Sequence, residues 1–547
     1  MYGLNDILTR HDELKAIRQP VERQWREIAQ LMCPEQEDMF TGNSRTNPAY
    51  DELYDATTMQ AAEAFSGGIY GQMTNPANNW FEFGLEDTEL ASYYPVKSWL
   101  WRQSRKAYGT FAVARSKFYS EAPGWFGDLG IFGMGTLYSE EIVGAGRFLD
   151  LAIPLGESFV AADGKTVDVD AEGDVDTFHR AFRLTGRQAK QKFPELEALG
   201  SQVNDRTTYE FIHAVCPNPA YDARRIGLAG KAFLSVYVSP QLKSFIRTGG
   251  YHRMPYHVVM WKRRPGRVYP VGPGHIARPE AAMLNEMERT HIVAAQFAAD
   301  PTILAHDEDT FSPADRFPGA VIYGQVNERG QPLAQPLNTG ANLQLSLEMS
   351  KERRDAIRQA FYFSVMQLVN RPQMTATEFL GFQEEYLRQM GPNLGRIQSQ
   401  GLAPLIARRY DILAQAGQID PPPPELENQP LQIEYTSPLA KMQKAGEAKA
   451  TLQYVTGMQQ VAAATQDIGV MDNIDGDAVA AILHEAMGPP PSARRDPAAV
   501  AKLREQRAQL AAQREQLAQA GQAAEVSATN AHAAQAATLS AQREAGQ

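Results

Sequence analysis

Cysteine is almost missing from this chain: of 547 residues only Cys33 and Cys216 are cysteines, which excludes a disulfide framework and a cysteine-rich zinc site. Both are expected as small buried apolar side chains. No run approaches the roughly 18 consecutive apolar residues that a membrane span needs. The N-terminus is charged from Asp6 onward and lacks an apolar signal region, so cytoplasmic synthesis is expected. A basic surplus is lacking too. Lys and Arg number 53 against 64 Asp and Glu, a net charge of −11, whereas a protein that grips DNA by its phosphates displays an excess of cations.

Catalytic signatures are also scarce. Gly164-Lys165-Thr166 looks like the end of a phosphate-binding loop, but that motif needs a glycine where Phe159 stands. The residues after it alternate as a strand instead of opening a helix, and Asp163 and Asp168 flank it, so an Asp-Gly hairpin turn is the expected structure. Gly130, Gly133 and Gly135 do not match a dinucleotide fingerprint and read as a turn between helix and strand. There is no Gly-x-Ser-x-Gly elbow, and His484-Glu485 lacks the second histidine of a zinc-protease pair. No enzyme activity, cofactor or metal is expected.

What the chain has in quantity is helix-period text around a strand-rich middle. Residues 4–32 read as helix, stopped at Cys33-Pro34; residues 55–70 form a second, with Asp55 as candidate N-cap; helices resume over 95–117. Between Gly133 and Val271 short alternating runs broken by Gly and Asp predict strands and hairpins, with a short helix at 185–192. Pro279 reads as a first-turn proline of a helix reaching Ala299. Residues 301–340, with five prolines, read as a strand-and-loop excursion before a long helix over 343–369, whose Ile357, Phe361, Val365 and Leu368 share a face.

The most informative stretch is Arg371-Pro372-Gln373-Met374-Thr375-Ala376-Thr377-Glu378. Pro372 bars the preceding helix from continuing, and Thr375 and Glu378 have capping-box spacing, so a tight loop separates two helices here. The second helix runs to about Gly417, with Phe379, Phe382, Tyr386 and Met390 on one stripe and a kink expected at Gly391-Pro392. At 1.5 Å per residue it would reach roughly 60 Å. A returning strand at 431–435 and helices over 438–487, interrupted at 469–476, follow. From Gly488 the text becomes rich in proline, alanine and glutamine. Leu503, Leu510 and Leu517 recur every seven residues, but Arg507 and Arg514 stand where a second apolar column belongs. Two readings stay open: a self-associating helix, or an exposed helix running into disorder past Gly521.

Four segments, in order, resemble the portal (head-to-tail connector) proteins of tailed bacteriophages, the short-tailed type in particular: Asp55 to Phe81, Tyr269 to Pro301, Met374 to Gly391, and Leu402 to Gly417. The family usually has Tyr-Gly before Gly-Pro where this chain has Tyr269-Pro270-Val271-Gly272-Pro273. The resemblance implies an α+β, mainly helical portal fold assembling into a dodecameric ring. It divides the chain into a wing (1–278), a stem helix (279–300), a clip (301–340), a second stem helix (341–368), a tunnel loop (369–375), a long wing helix with returning strand (376–440), crown helices (441–490) and a C-terminal tail (491–547).

The same resemblance implies a place in the virion, at one capsid vertex, and passage of double-stranded DNA during packaging and ejection. The implied partners are further copies of the chain, capsid and scaffolding proteins, terminase, and adaptor or tail proteins. Asn370, Arg371, Gln373 and Met374 would contact or gate DNA. Lys351, Arg353, Arg354 and Arg358, interleaved with Glu352 and Asp355, read either as a solvated face with ion pairs along one helix or as residues that bridge neighbouring subunits or face the bore. An acidic ring would let a polyanion slide without holding it. The alternative is a ring-forming adaptor or tail protein without a DNA-motor role.

Overall fold

The computed structural model describes residues 3–40, 52–161, 175–198, 203–264, 267–305, 326–332, 334–337, 343–363, 389–426, 429–435, 438–487, 493, 495 and 497–544. Its helices begin with α1 (Leu4–Met32), α2 (Thr57–Met73), α3 (Thr88–Ser92), α4 (Tyr94–Gly109), α5 (Phe118–Phe132), α6 (Gly186–Lys192) and α7 (Glu195–Ala198). They continue with α8 (Pro273–Ala299), α9 (Leu343–Ala360), α10 (Ala403–Gln415), α11 (Pro438–Thr465), α12 (Gly476–Met487) and α13 (Pro497–Glu544). The strands are β1 (Phe81–Gly84), β2 (Met134–Ile142), β3 (Arg147–Ala152), β4 (Ser158–Ala161), β5 (Thr177–Thr185), β6 (Thr208–Pro217), β7 (Phe233–Ser239), β8 (Ser244–Tyr251), β9 (Tyr256–Met260), β10 (Ile303–Ala305), β11 (Ala334–Pro336) and β12 (Gln432–Tyr435). The fold is α+β and mainly helical.

Two compact units divide the chain. The larger comprises Met1–Phe81 and Arg105–Ile419. Its five-stranded antiparallel sheet, β4-β5-β6-β7-β8, is covered on both faces, because side chains alternate along each strand. Ile212 and Ala214 of β6 pack with Ile7 of α1, while Phe211, which alternates to the other face, packs with Phe193 and Leu196 on the α6–α7 side. Thr185 starts α6 by accepting the Gln188 N–H, and the Gln188 side chain returns to the Thr185 N–H at 3.0 Å, a reciprocal capping box. A second sheet, β3-β2-β9, follows α5, which ends at Gly133 in the left-handed region (φ 80°). That turn is the expected helix-to-strand junction.

The smaller unit comprises Glu82–Ser104 and Asp420–Gln547. Strands β1 and β12 pair, so the returning strand expected at 431–435 exists. The Trp99 indole N–H donates to the Asp420 carbonyl at 3.1 Å and the Gln103 side chain donates to the Asp420 carboxylate at 3.1 Å, fixing the chain where it enters this unit. Helices α11 and α12 flank a short 3₁₀ turn at Ile468–Asn473, where the interruption is expected.

The structure differs from the sequence reading at several boundaries. Helix α2 is capped by Ala56, not Asp55; Asp55 instead accepts the Thr57 N–H at 2.7 Å from one residue further out. Helix α4 stops at Gly109, and the text up to Lys117 is turn. Helix α8 starts at Pro273, so Pro279 is inside it; Pro273 is an equally good first-turn proline and carries Gly272 before it. Helix α9 ends at Ala360, and Tyr362 has φ 55°, which a helix cannot contain. The chain is helical through Gly391-Pro392, and the irregularity is a π-turn at Ile397–Leu402. Pro404 has no N–H to return to residue 400, and the Ala403 N–H bonds instead to the Gln398 carbonyl. The Gln400 side chain accepts the Met260 N–H at 3.0 Å, satisfying the β9 edge. Helix α13 passes through Gly521 to Glu544. The Gly164-Lys165-Thr166 turn lies outside the described residues.

Candidate channel and assembly site

Asn370, Arg371, Gln373 and Met374, with the Thr375–Glu378 capping box, fall in 364–388, outside the described residues. The described part of the candidate site is the helix pair α8 and α9, joined through the antiparallel pair β10–β11. Its root is seated by backbone contact. A Cβ on Gly272 would stand 2.6 Å from the Gly133 Cα, and one on Gly274 would stand 2.1 Å from the Ile131 carbonyl oxygen. Near the root, Ala277, Ala281, Leu284, Ile357 and Phe361 are buried, and the Phe361 ring meets Phe65 edge-on at 6.2 Å.

Charge fixes the two helices to each other and to the body. Arg353 donates to Glu280 of α8 at 2.8 Å. Arg354 donates to Glu288 of α8 at 2.7 Å and to Asp55 at 2.9 Å. Burial works against the Asp55 charge, but hydrogen bonds from Thr57 and Arg354 outweigh it and hold the carboxyl below its ordinary value. Arg278 pairs with Glu27 of α1 at 2.7 Å, and the His291 imidazole shares a 2.5 Å hydrogen bond with the Ser346 hydroxyl. Of the basic residues singled out from the sequence, Arg353 and Arg354 are thus committed between elements, Arg358 pairs along its own helix with Asp355 at 3.2 Å, and Lys351 is exposed. Replacing Arg354 by Ala is expected to cost about 1–2 kcal/mol, since two charge-assisted bonds in a half-buried setting are lost. Lys351→Ala is expected to stay within about 0.5 kcal/mol of the parent. Thermal unfolding of the two variants checks the contrast, and equal effects would contradict it.

From the root outward the pair exposes apolar side chains. Ile276, Met283, Ile292, Val293 and Phe297 of α8 and Leu347 and Met349 of α9 are exposed, and a groove of about 430 Å³ runs among Met283, Glu286, Met287, Thr290 and Ser346. Ile276, Met283, Met287, Thr290, Ala294 and Phe297 are spaced seven, four, three, four and three apart, the stripe that a partner helix packs against. The sequence reading missed this stripe because it began the helix at Pro279, leaving Ile276 outside. Among the described residues there is no helix long and apolar enough to cross a membrane and no His, Cys, Asp and Glu group placed to hold a metal ion.

Residues 4–494 match the model of the family described as bacteriophage head to tail connecting protein. The chain belongs to that family. Among its connector relatives, the portal protein of Salmonella phage epsilon15 is 26% identical over 522 residues, covering 92% of this chain and 91% of the relative. The probable portal protein of Bordetella phage BPP-1 is 25% identical over 514 residues, covering 92% and 90%. A solved chain described as the neck of an empty GTA particle, computed with C6 symmetry, covers 73% of this connector and 88% of its own length at 10% identity. Its TM-score is 0.35.

Proposed function

We propose that this chain is the portal subunit of a tailed bacteriophage. Copies form a dodecameric ring at one capsid vertex; double-stranded DNA enters and leaves through the bore; terminase docks during packaging and the tail afterwards. The observation that supports this most strongly is the α8–α9 pair, whose internal ion pairs make it stiff while its apolar stripe is left exposed. In a ring, the stripe of one subunit is covered by the next. Burying each half-exposed side chain is worth roughly 1 kcal/mol, enough in sum to drive closure around many subunits.

In this reading α8 and α9 are the stem, residues 301–340 the clip, 369–375 the tunnel loop, α11 and α12 the crown, and the sheets with α1 to α7 the wing. The work is steric and electrostatic. Each subunit carries −11 net charge, so the wall repels phosphate and DNA slides past, with Arg371 as a local point of friction. Arg371→Glu is expected to leave ring assembly intact and to change the amount of DNA packaged or retained, measured as nuclease-protected genome per particle. Parental packaging and retention by this variant would count against the channel role of the loop.

A further inference from the structure

The loop between β6 and β7, residues 218–232, is rigid by its own hydrogen bonding and yet keeps an apolar residue in water. Asn218 is buried; its Nδ2 donates to the Leu228 and Lys231 carbonyls, each at 2.9 Å, and its Oδ1 accepts the Ala220 N–H at 3.1 Å. The Asp222 N–H donates to the Ala229 carbonyl at 2.8 Å and the Arg225 N–H to the Asp222 carbonyl at 2.9 Å. The Asp222 carboxylate accepts the Arg224 N–H at 3.0 Å. Gly227 adopts φ 87°, ψ −149°, a combination open almost only to glycine. A Cβ on Gly230 would stand 2.0 Å from the Arg225 carbonyl oxygen. The backbone is therefore fixed through the whole turn, and at its tip Ile226 is 100% exposed, with Tyr221 and Leu228 exposed beside it. A loose loop would fold such a residue inward.

We propose that residues 218–232 form a preorganised docking loop whose Ile226 enters an apolar notch on a second copy of this chain; the inference rests on the ring reading above. A rigid loop loses little freedom on binding, so most of the burial of Ile226 is available as affinity. The partner follows from charge. The loop carries Arg224, Arg225 and Lys231 against Asp222 alone, with Arg225 and Asp222 3.4 Å apart, while the chain as a whole is at −11. A second copy, negative on average, therefore attracts the basic loop. A DNA backbone would answer the arginines but offers nothing to bury an isoleucine.

The test places the photo-cross-linking residue p-benzoylphenylalanine at position 226 of the full-length protein and irradiates the purified assembly. The expected products are chain-to-chain conjugates at twice the chain mass and higher multiples, with the partner end mapping to an acidic, partly apolar segment. Rings that yield no conjugate, or only a within-chain one, overturn the docking loop and leave the ring reading standing. Protein that forms no ring at all overturns both. As a second readout, Ile226→Asp is expected to raise the concentration needed for assembly by about tenfold or more, with unchanged circular dichroism because the side chain touches nothing in its own chain; unchanged assembly would overturn the proposal.

Discussion

Asp150→Ala is expected to destabilise the larger unit by about 3–5 kcal/mol, the largest effect of any single substitution considered. Asp150 of β3 and Arg409 of α10 are both completely buried and are joined at 2.6 Å. Around them the constellation is nearly full: the Ser139 hydroxyl donates to Asp150 at 2.7 Å, the Ser116 hydroxyl donates to the other carboxylate oxygen, and Arg409 also reaches the Thr110 carbonyl at 3.1 Å. The guanidinium lies 3.8 Å from the Phe111 ring centroid. Removing the carboxylate leaves a cation without water or counter-charge, and that desolvation is the main cost. Replacing both partners by apolar residues of similar volume is expected to cost far less, because the charges themselves contribute little net stability. Chemical denaturation followed by tryptophan fluorescence measures both. A loss under about 1 kcal/mol for Asp150→Ala would contradict the role assigned to the pair.

Asp128→Asn is expected to stabilise the protein at neutral pH and to change its pH profile. Asp128 of α5 is buried, and desolvation pushes its carboxyl from the ordinary 3.8 up to about 7, opposed only by a hydrogen bond from Gln36. The neighbouring Cys33 thiol is pushed up as well, first by burial and then by the Asp128 charge. Between about 4 and 7 the folded protein holds a proton here that the unfolded chain has released. Stability from this group is therefore present at low pH, falls as pH rises through that window, and is flat above it. At about 1.4 kcal/mol per pH unit the ceiling is roughly 4 kcal/mol. Asparagine takes no proton, so the variant lacks this term. His11 and His179 act in the opposite direction: burial lowers them to about 4 and about 3, and their stability is lost as pH falls below the ordinary 6.5. The difference between parent and variant at each pH isolates Asp128, and it is expected to grow from pH 4 to 7. A difference that does not vary with pH would contradict the assignment.

Local signals carried far in this sequence. Cys33-Pro34 stops α1 where it is expected, the alternation in 208–217, 233–239 and 244–251 yields paired strands, and Gly133 turns helix into strand. These depend on residues within one or two turns of each other. The contacts that lock the candidate site and the body behind it do not: Arg354 of α9 meets Asp55 across 299 positions and Arg409 of α10 meets Asp150 of β3 across 259, and no periodicity reports a pairing at that separation. Arg354 pairs with Asp55 and Glu288, both brought in by tertiary packing, and Arg353 meets Glu280 at 2.8 Å besides its neighbour Glu352 at 3.9 Å. The π-turn had a readable cause in Pro404, but Gly391-Pro392 offers the same signal without breaking the helix, so the breaker alone does not say which site gives way.

End-on views of the purified full-length protein by negative-stain electron microscopy decide whether its copies form a closed ring with an axial passage. Closed rings, dodecameric by class averaging, with an open bore wide enough for a DNA duplex are expected. Monomers, or rings closed at the axis, would contradict the portal reading.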